Sequence, residues 1–441
     1  MRSHCSGRIM IKALIDSQVR HLWCTVSSAK QKFFYMQEPA RNHRNWTVLS
    51  GLFLVYMASN GITLHTLPLL YPELMEHYGW RESEVTLPAT VFFIVGAITS
   101  PPAGWLLDRY STRLIISLGS LLLALALVAY SATQSLWQLV AVYAVLGVAL
   151  SLCGLVSNMV LLTQWFERGR VRATGILLTA SSLGGVLFPL AVGGTIEALG
   201  WRHAVLITGA LVGVVMLGSA MLLLRDGRTA LAPAEPRASA THDIRRLLPL
   251  IMNTRFLAIV FATGSLWFII IALTQHQSIY LARDVGLERS FLPTVFSIFF
   301  GSSIVGKLTF GALADRYPIH RVMPAAIFTL ALSLLILSHI VATDLSLLIF
   351  YAVLGGLGFS GAFTCIQILL ATHYSGAYYG RILALVVLID TLCGALGTRS
   401  LGLLREWQGD YIAGFSALSA LAVFSGIVVM RLSGSPAERT G

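Results

Sequence analysis

Gly104-Trp105-Leu106-Leu107-Asp108-Arg109-Tyr110 returns 207 positions later as Gly311-Ala312-Leu313-Ala314-Asp315-Arg316-Tyr317. Each copy ends a long apolar run and precedes another. An acid and an arginine are costly in apolar surroundings unless they are paired. The same pairing twice in register therefore points to a duplicated unit. A second match agrees: Tyr143-Ala144-Val145-Leu146-Gly147 recurs as Tyr351-Ala352-Val353-Leu354-Gly355, offset by 208. The chain divides into two related halves.

Composition says what kind of halves these are. The 441 residues are 56% hydrophobic and 12% charged, with a mean hydropathy of +0.75. A soluble domain carries about 25% charged residues, so a soluble protein is excluded. Runs of roughly 20 apolar residues, enough to cross the hydrocarbon core, follow one another along the chain. The expected fold is all-α and integral to the membrane, with twelve transmembrane helices. The first six spans fall at 46–70, 85–107, 113–132, 136–163, 171–196 and 203–224. The other six fall at 255–281, 291–314, 321–343, 345–371, 380–404 and 411–431. The expected organisation is a basic, unstructured extension (1–45), a six-helix bundle (46–224), a polar linker (225–253), a second bundle (254–432) and a tail (433–441). Related halves of this kind are a signature of membrane transporters.

The net charge of +11 does not imply nucleic acid, because the basic residues lie in short loops between apolar runs. With a cytoplasmic N-terminus, the inner loops and tail hold sixteen Lys/Arg and the N-terminal segment eight, against five in the opposite loops (Arg81, Arg202, Arg283, Arg289 and Arg405). By the positive-inside rule both termini are cytoplasmic, and the membrane is expected to be a plasma or bacterial inner membrane. Residues 1–45 show no secretory apolar core. Six Lys/Arg and one acid precede Met36, which suits either a transit sequence or over-extended sequence ahead of a start at Met36. The five cysteines form no C-x-x-C pair, so no disulfide or metal site is expected.

At the loop motifs the sequence resembles a known family. Gly104, Asp108, Arg109 and Arg113 resemble the signature loop of the major facilitator superfamily, and Gly311, Asp315, Arg316 and Arg321 its second-half counterpart. The resemblance covers about residues 46–431. It implies two pseudo-symmetric six-helix bundles and a cytoplasmic gate in which these charges pair with neighbouring helix ends. Trp165-Phe166-Glu167-Arg168-Gly169-Arg170-Val171-Arg172-Ala173-Thr174-Gly175 and Gln275-His276-Gln277 resemble stretches of the monocarboxylate and oxalate–formate porters. The sequence departs from animal monocarboxylate carriers at the entry to the first span, where Arg44-Asn45-Trp46 stands.

Ionisable residues at membrane depth point by default to a pathway or site. Aligned on Gly311, Lys307 falls where monocarboxylate carriers place a substrate-binding arginine; Ser303 replaces their aspartate four residues earlier. Lys307 either attracts an anionic substrate or reaches to the interface as a long amphipathic chain. Asp390, mid-span, can carry a proton during transport or form a permanent pair with Lys307 or Arg399. Arg399 reads as an interfacial or gate residue. His65 and His276 occupy corresponding positions in the halves, and histidine titrates near neutral pH; packing is the alternative for each. Asn60, Gln275 and Gln367 line a polar cavity or bond between helices.

Gly301-Ser302-Ser303-Ile304-Val305-Gly306-Lys307-Leu308 nearly spells a P-loop, but Leu308 cannot hold Mg²⁺ and the context is an apolar helix. No nucleophile turn or H-E-x-x-H occurs. The expectation is a non-enzyme without cofactor: an alternating-access transporter acting as a monomer, moving a small organic anion with protons. A proton-coupled drug or metabolite exporter of the same fold and a non-transporting receptor or assembly factor remain as alternatives.

Overall fold

The computed structural model describes residues 43–166, 169–227, 253–374 and 379–432. The expectations for the N-terminal extension, the linker and the tail therefore fall almost wholly outside the described residues, as do Glu167 and Arg168. Among the described residues twelve helices are long and apolar enough to span a membrane. The first half holds α1 (His43–Tyr78), α2 (Glu82–Arg109), α3 (Thr112–Ser131), α4 (Leu136–Trp165), α5 (Arg172–Leu199) and α6 (Trp201–Leu222). The second holds α7 (Thr254–Asp284), α8 (Arg289–Arg316), α9 (Ile319–Leu337), α10 (Leu345–His373), α11 (Ile382–Gln408) and α12 (Ile412–Arg431).

Several helices outrun their apolar windows. α1 continues through Glu73 and Glu76 to Tyr78 instead of stopping near residue 70. Hydropathy marks the lipid-facing length, whereas a helix ends where its backbone turns. Here Gly79 does that at φ 71°, its N–H donating to the Met75 carbonyl. Only glycine takes that conformation at little cost. At other ends polar side chains cap the first turn, Ser111 accepting from the Leu114 N–H and Asp344 from that of Leu347.

Two helices are interrupted inside the apolar zone. α1 passes through a π turn at Gly61–Thr66 and a 3-10 turn at Leu67–Leu70, where Pro68 lacks an N–H. α4 breaks at Gly154, whose backbone is extended. Water cannot support the disturbed ladder at this depth, and side chains add bonds there. Thr66 Oγ1 donates to the Gly61 carbonyl at 2.7 Å. Asn158 Nδ2 donates to the Cys153 and Gly154 carbonyls, both at 2.7 Å. Asn158 thus mends its own helix.

The halves repeat one packing scheme. α2 lies on α4, α3 on α4 and α6, and α5 on α1; correspondingly α8 lies on α10, α9 on α10 and α12, and α11 on α7. The repeated Tyr-Ala-Val-Leu-Gly phrase occupies matching places in α4 and α10. Tyr143 and Tyr351 are buried. A Cβ on Gly147 would meet the Phe92 carbonyl of α2, and one on Gly355 the Phe299 ring of α8. The phrase recurs because each bundle needs a small residue where those helices cross.

The halves meet along two equivalent seams, α2 with α11 and α5 with α8. In the second, Gly193 faces Pro293 and Gly185 faces Phe300. Toward the end carrying the α2–α3 and α8–α9 loops, hereafter the basic end, Gly104, Gly175 and Gly311 have open space where a Cβ would stand. Toward the opposite end both seams are in contact, Gly193 on Pro293 in one and Gly402 on Ser83 in the other.

The tightest approach of α1 and α5 makes a prediction. A side chain on Gly184 would press on the Met57 carbonyl and Gly61. Gly184→Leu is expected to cost about 1–3 kcal/mol of overpacking strain, lowering the unfolding midpoint of the purified protein in detergent. Gly311→Ala, in open space, should leave that midpoint unchanged.

Candidate functional site

A cavity of about 250 Å³ lies between the halves. α1, α2, α4 and α5 line it from one side and α7, α8, α10 and α11 from the other; α3, α6, α9 and α12 contribute nothing. Five residues expected from sequence meet there: Lys307, His65, Asn60, Gln275 and Gln367.

Lys307 holds the cavity's cation on α8. Its Nζ donates across the seam to the Leu178 carbonyl at 2.8 Å, Ser182 Oγ at 2.7 Å and Ser181 Oγ at 3.3 Å, all on α5. Ser303, one turn away, hydrogen-bonds Ser182 at 2.8 Å. These partners are neutral oxygens, so they satisfy the ammonium's donors without cancelling its charge. His65 reaches the same cavity because the π turn carries it there, its ring 4.0 Å from that of Phe300. Its buried Nδ1 has no hydrogen-bond partner among the described residues. Gln275 Oε1 accepts from the Tyr71 hydroxyl at 2.7 Å, tying α7 to α1; Ser278 adds a bond to the Pro68 carbonyl. Asn60 donates to Ser59 Oγ at 3.2 Å.

Three other candidates lie off the cavity wall. Asp390 is 1% exposed and turns toward α7, where Thr263 Oγ1 donates to its Oδ1 at 2.8 Å. Its Oδ2 is buried without a partner among the described residues. Val387 and Thr391, its neighbours on α11, do line the cavity. His276 is fully buried in the second half: Nε2 lies 2.8 Å from the Thr398 carbonyl and Nδ1 2.8 Å from the Tyr411 hydroxyl. Since a carbonyl only accepts, Nε2 carries a proton, and a neutral ring accepts from Tyr411. Arg399 spans the other seam, donating to the Ser83 carbonyl at 2.6 Å.

At the end opposite the basic loops, ion pairs hold the halves together. Glu82 of α2 is flanked by Arg405 at 3.4 Å and Arg283 at 3.7 Å, and Arg405 also meets Asp284 at 2.9 Å. Arg289 pairs with Glu73 at 2.9 Å and with Glu76. Glu406 accepts from the Ser83 N–H at 3.0 Å. Sequence reasoning treated these arginines as topology markers and missed the cluster. A signal was available: Glu73, Glu76 and Glu82 fall in the first half and the arginines facing them in the second.

The repeated loops sit at the basic ends of α2 and α8. Asp108 and Asp315 precede the last residues, Arg109 and Arg316; Arg113 and Arg321 open α3 and α9. The Arg109 guanidinium lies 4.3 Å over the Trp105 ring. Arg113 donates to the Ala220 and Met221 carbonyls at the end of α6, and Asp226 accepts from the Arg113 N–H and from Ser111. A cation on helix-terminal carbonyls is favourable. These bonds brace the first half internally.

Residues 48–398 and 277–440 match the profile described as the Major Facilitator Superfamily. The chain belongs to the major facilitator superfamily. Among relatives of this facilitator, monocarboxylate transporter 11 of Homo sapiens is 27% identical over 400 residues, 86% of this chain and 81% of the relative. The agnestins efflux protein AgnL12 of Paecilomyces divaricatus is 28% identical over 332 residues, 74% and 71% of the two chains. The crystal structure of the nucleoside transporter NupG superposes with a TM-score of 0.76 at 13% identity, covering 89% of this chain and 100% of that one. That likeness concerns the fold.

The Glu82 cluster makes a prediction about what holds this end together. The carboxyl side chain is 7% exposed, while Arg283 is half exposed and so partly screened. Glu82→Gln should favour separation of this end by about 1 kcal/mol, roughly fivefold in population. The check is a Thr274→Cys reporter in a background without native cysteines. It should react faster with an impermeant thiol reagent supplied from that end.

Proposed function

We propose that this facilitator is a secondary transporter that moves a small organic anion together with protons by alternating access, its basic end facing the cytoplasm. The observation that carries the reading is Lys307: an ammonium at the wall of the cavity between the halves, bonded only to neutral oxygens. A substrate carboxylate supplies the missing counter-charge, and an interaction of this kind is strong where water is scarce. The 27% identity to a monocarboxylate transporter supports the anion. Asp390 and His65 are the assigned proton carriers, with His276 as a third titratable group in the second half. The basic loops support the orientation, and the functional unit is a monomer in a plasma or bacterial inner membrane.

The second reading, a metabolite exporter, draws on the largely apolar cavity wall and on a relative whose name describes an efflux protein. Counterflow in proteoliposomes separates the two. Labelled short carboxylates should exchange, and Lys307→Gln should reduce that exchange at least about tenfold, the scale of losing a buried charge-assisted contact. Wild-type exchange in the Lys307→Gln variant would transfer the protein to the exporter reading, and absence of any counterflow would favour a non-transporting role.

Coupling is tested separately. An inward proton gradient should drive accumulation, and a protonophore should abolish it. Asp390→Asn should retain exchange but lose gradient-driven accumulation; unchanged accumulation would remove Asp390 from the proton path.

A further inference from the structure

The cavity has a second chemical character that a small anion leaves unused. Its wall carries aromatic rings from both halves: Phe92 and Phe93 on α2, Trp267 on α7, Phe359 and Phe363 on α10. Phe92 and Phe93 pair edge to face at 5.0 Å, and Trp267 and Phe363 do the same at 6.0 Å. Unlike Phe299 and Phe300, which are wholly buried, Trp267 and Phe363 keep ring surface open. The Trp267 ring N–H has no hydrogen-bond partner among the described residues.

The cation and the rings share one stretch of the cavity. Lys307 precedes Arg316, the basic end of α8, by nine residues, Phe363 precedes His373, the basic end of α10, by ten, and Trp267 follows Thr254, the basic end of α7, by thirteen. At 1.5 Å per residue they stand about 14 Å, about 15 Å and about 20 Å in from those ends. A molecule with a carboxylate at one end and an apolar body at the other meets the ammonium and both rings at once. A two- or three-carbon acid reaches the ammonium and leaves the rings uncovered. Removing apolar surface from water is favourable in proportion to area, and ring-on-ring contact in offset or edge-to-face geometry adds to it.

We propose that the preferred substrates are aromatic carboxylates, the carboxylate held by Lys307 and the ring lodged against Trp267 and Phe363. The proposal rests on the reading of Lys307 as the anion site and narrows the substrate class of that site. The Trp267 N–H adds a donor for an oxygen on the substrate, and Lys307 fixes the position of the carboxylate.

Competition in counterflow tests it, with propionate, 3-cyclohexylpropionate and 3-phenylpropionate as probes. The half-saturation constant of 3-phenylpropionate should be lower than that of propionate by about tenfold or more, with the cyclohexyl acid between them. Trp267→Leu combined with Phe363→Leu should bring the phenyl-to-propionate ratio to within about twofold, and Trp267→Phe should keep most of it. Equal constants for wild type, or a ratio unmoved by the double variant, overturn the aromatic assignment and leave the Lys307 reading standing. Exchange of neither acid overturns both. Should the double variant fail to insert, the wild-type series decides alone.

Discussion

Inside a bilayer, every backbone group that leaves regular helix must find a partner within the protein. The shape of the cavity depends on how this chain meets that requirement. Gly61–Thr66 departs from α-helix, and Thr66 bonds the Gly61 carbonyl there. α4 stops and restarts at Gly154 because Asn158 reaches back to two carbonyls. Both breaks lie in helices that line the space between the halves, and the π turn is what presents His65 to it. With uninterrupted helices at these points, the same sequence would place those side chains elsewhere.

Charge is distributed under a related constraint. The closed end gathers acids and arginines into pairs that cross between the halves, while the interior holds Lys307 and Asp390 apart, each bonded to neutral groups. Pairs with one partly exposed partner cost less to break than pairs buried on both sides. An unpaired charge at depth is expensive to keep, and such expense is tolerated where a ligand or proton takes the partner's place. The two treatments of charge set the paired end of the molecule apart from its interior.

Much of the fold was legible in the residues themselves. Twelve apolar runs and two motifs repeated at offsets of 207 and 208 announced the duplication, because glycine at a helix crossing and charges at a helix end have few substitutes. The ends of α1 and α11 were not legible, since hydropathy cannot see a helix continuing into polar residues. The site was legible in part. Lys307, His65, Asn60, Gln275 and Gln367 stood out as polar residues in apolar runs, and the cavity gathers them. His276 stood out equally, yet Thr398 and Tyr411 occupy both its nitrogens. Those partners lie more than a hundred residues away, as do the arginines beside Glu82. One sequence carries no record of such pairings.

Lys307 belongs to the second half, but the oxygens it binds belong to the first. Under the proposed function, a carboxylate arriving at this ammonium would draw its N–H donors away from the Leu178 carbonyl and the Ser181 and Ser182 hydroxyls. Occupancy and release of a tether would then be a single exchange of hydrogen bonds. Binding energy spent in this way would lower the cost of movement only with cargo aboard.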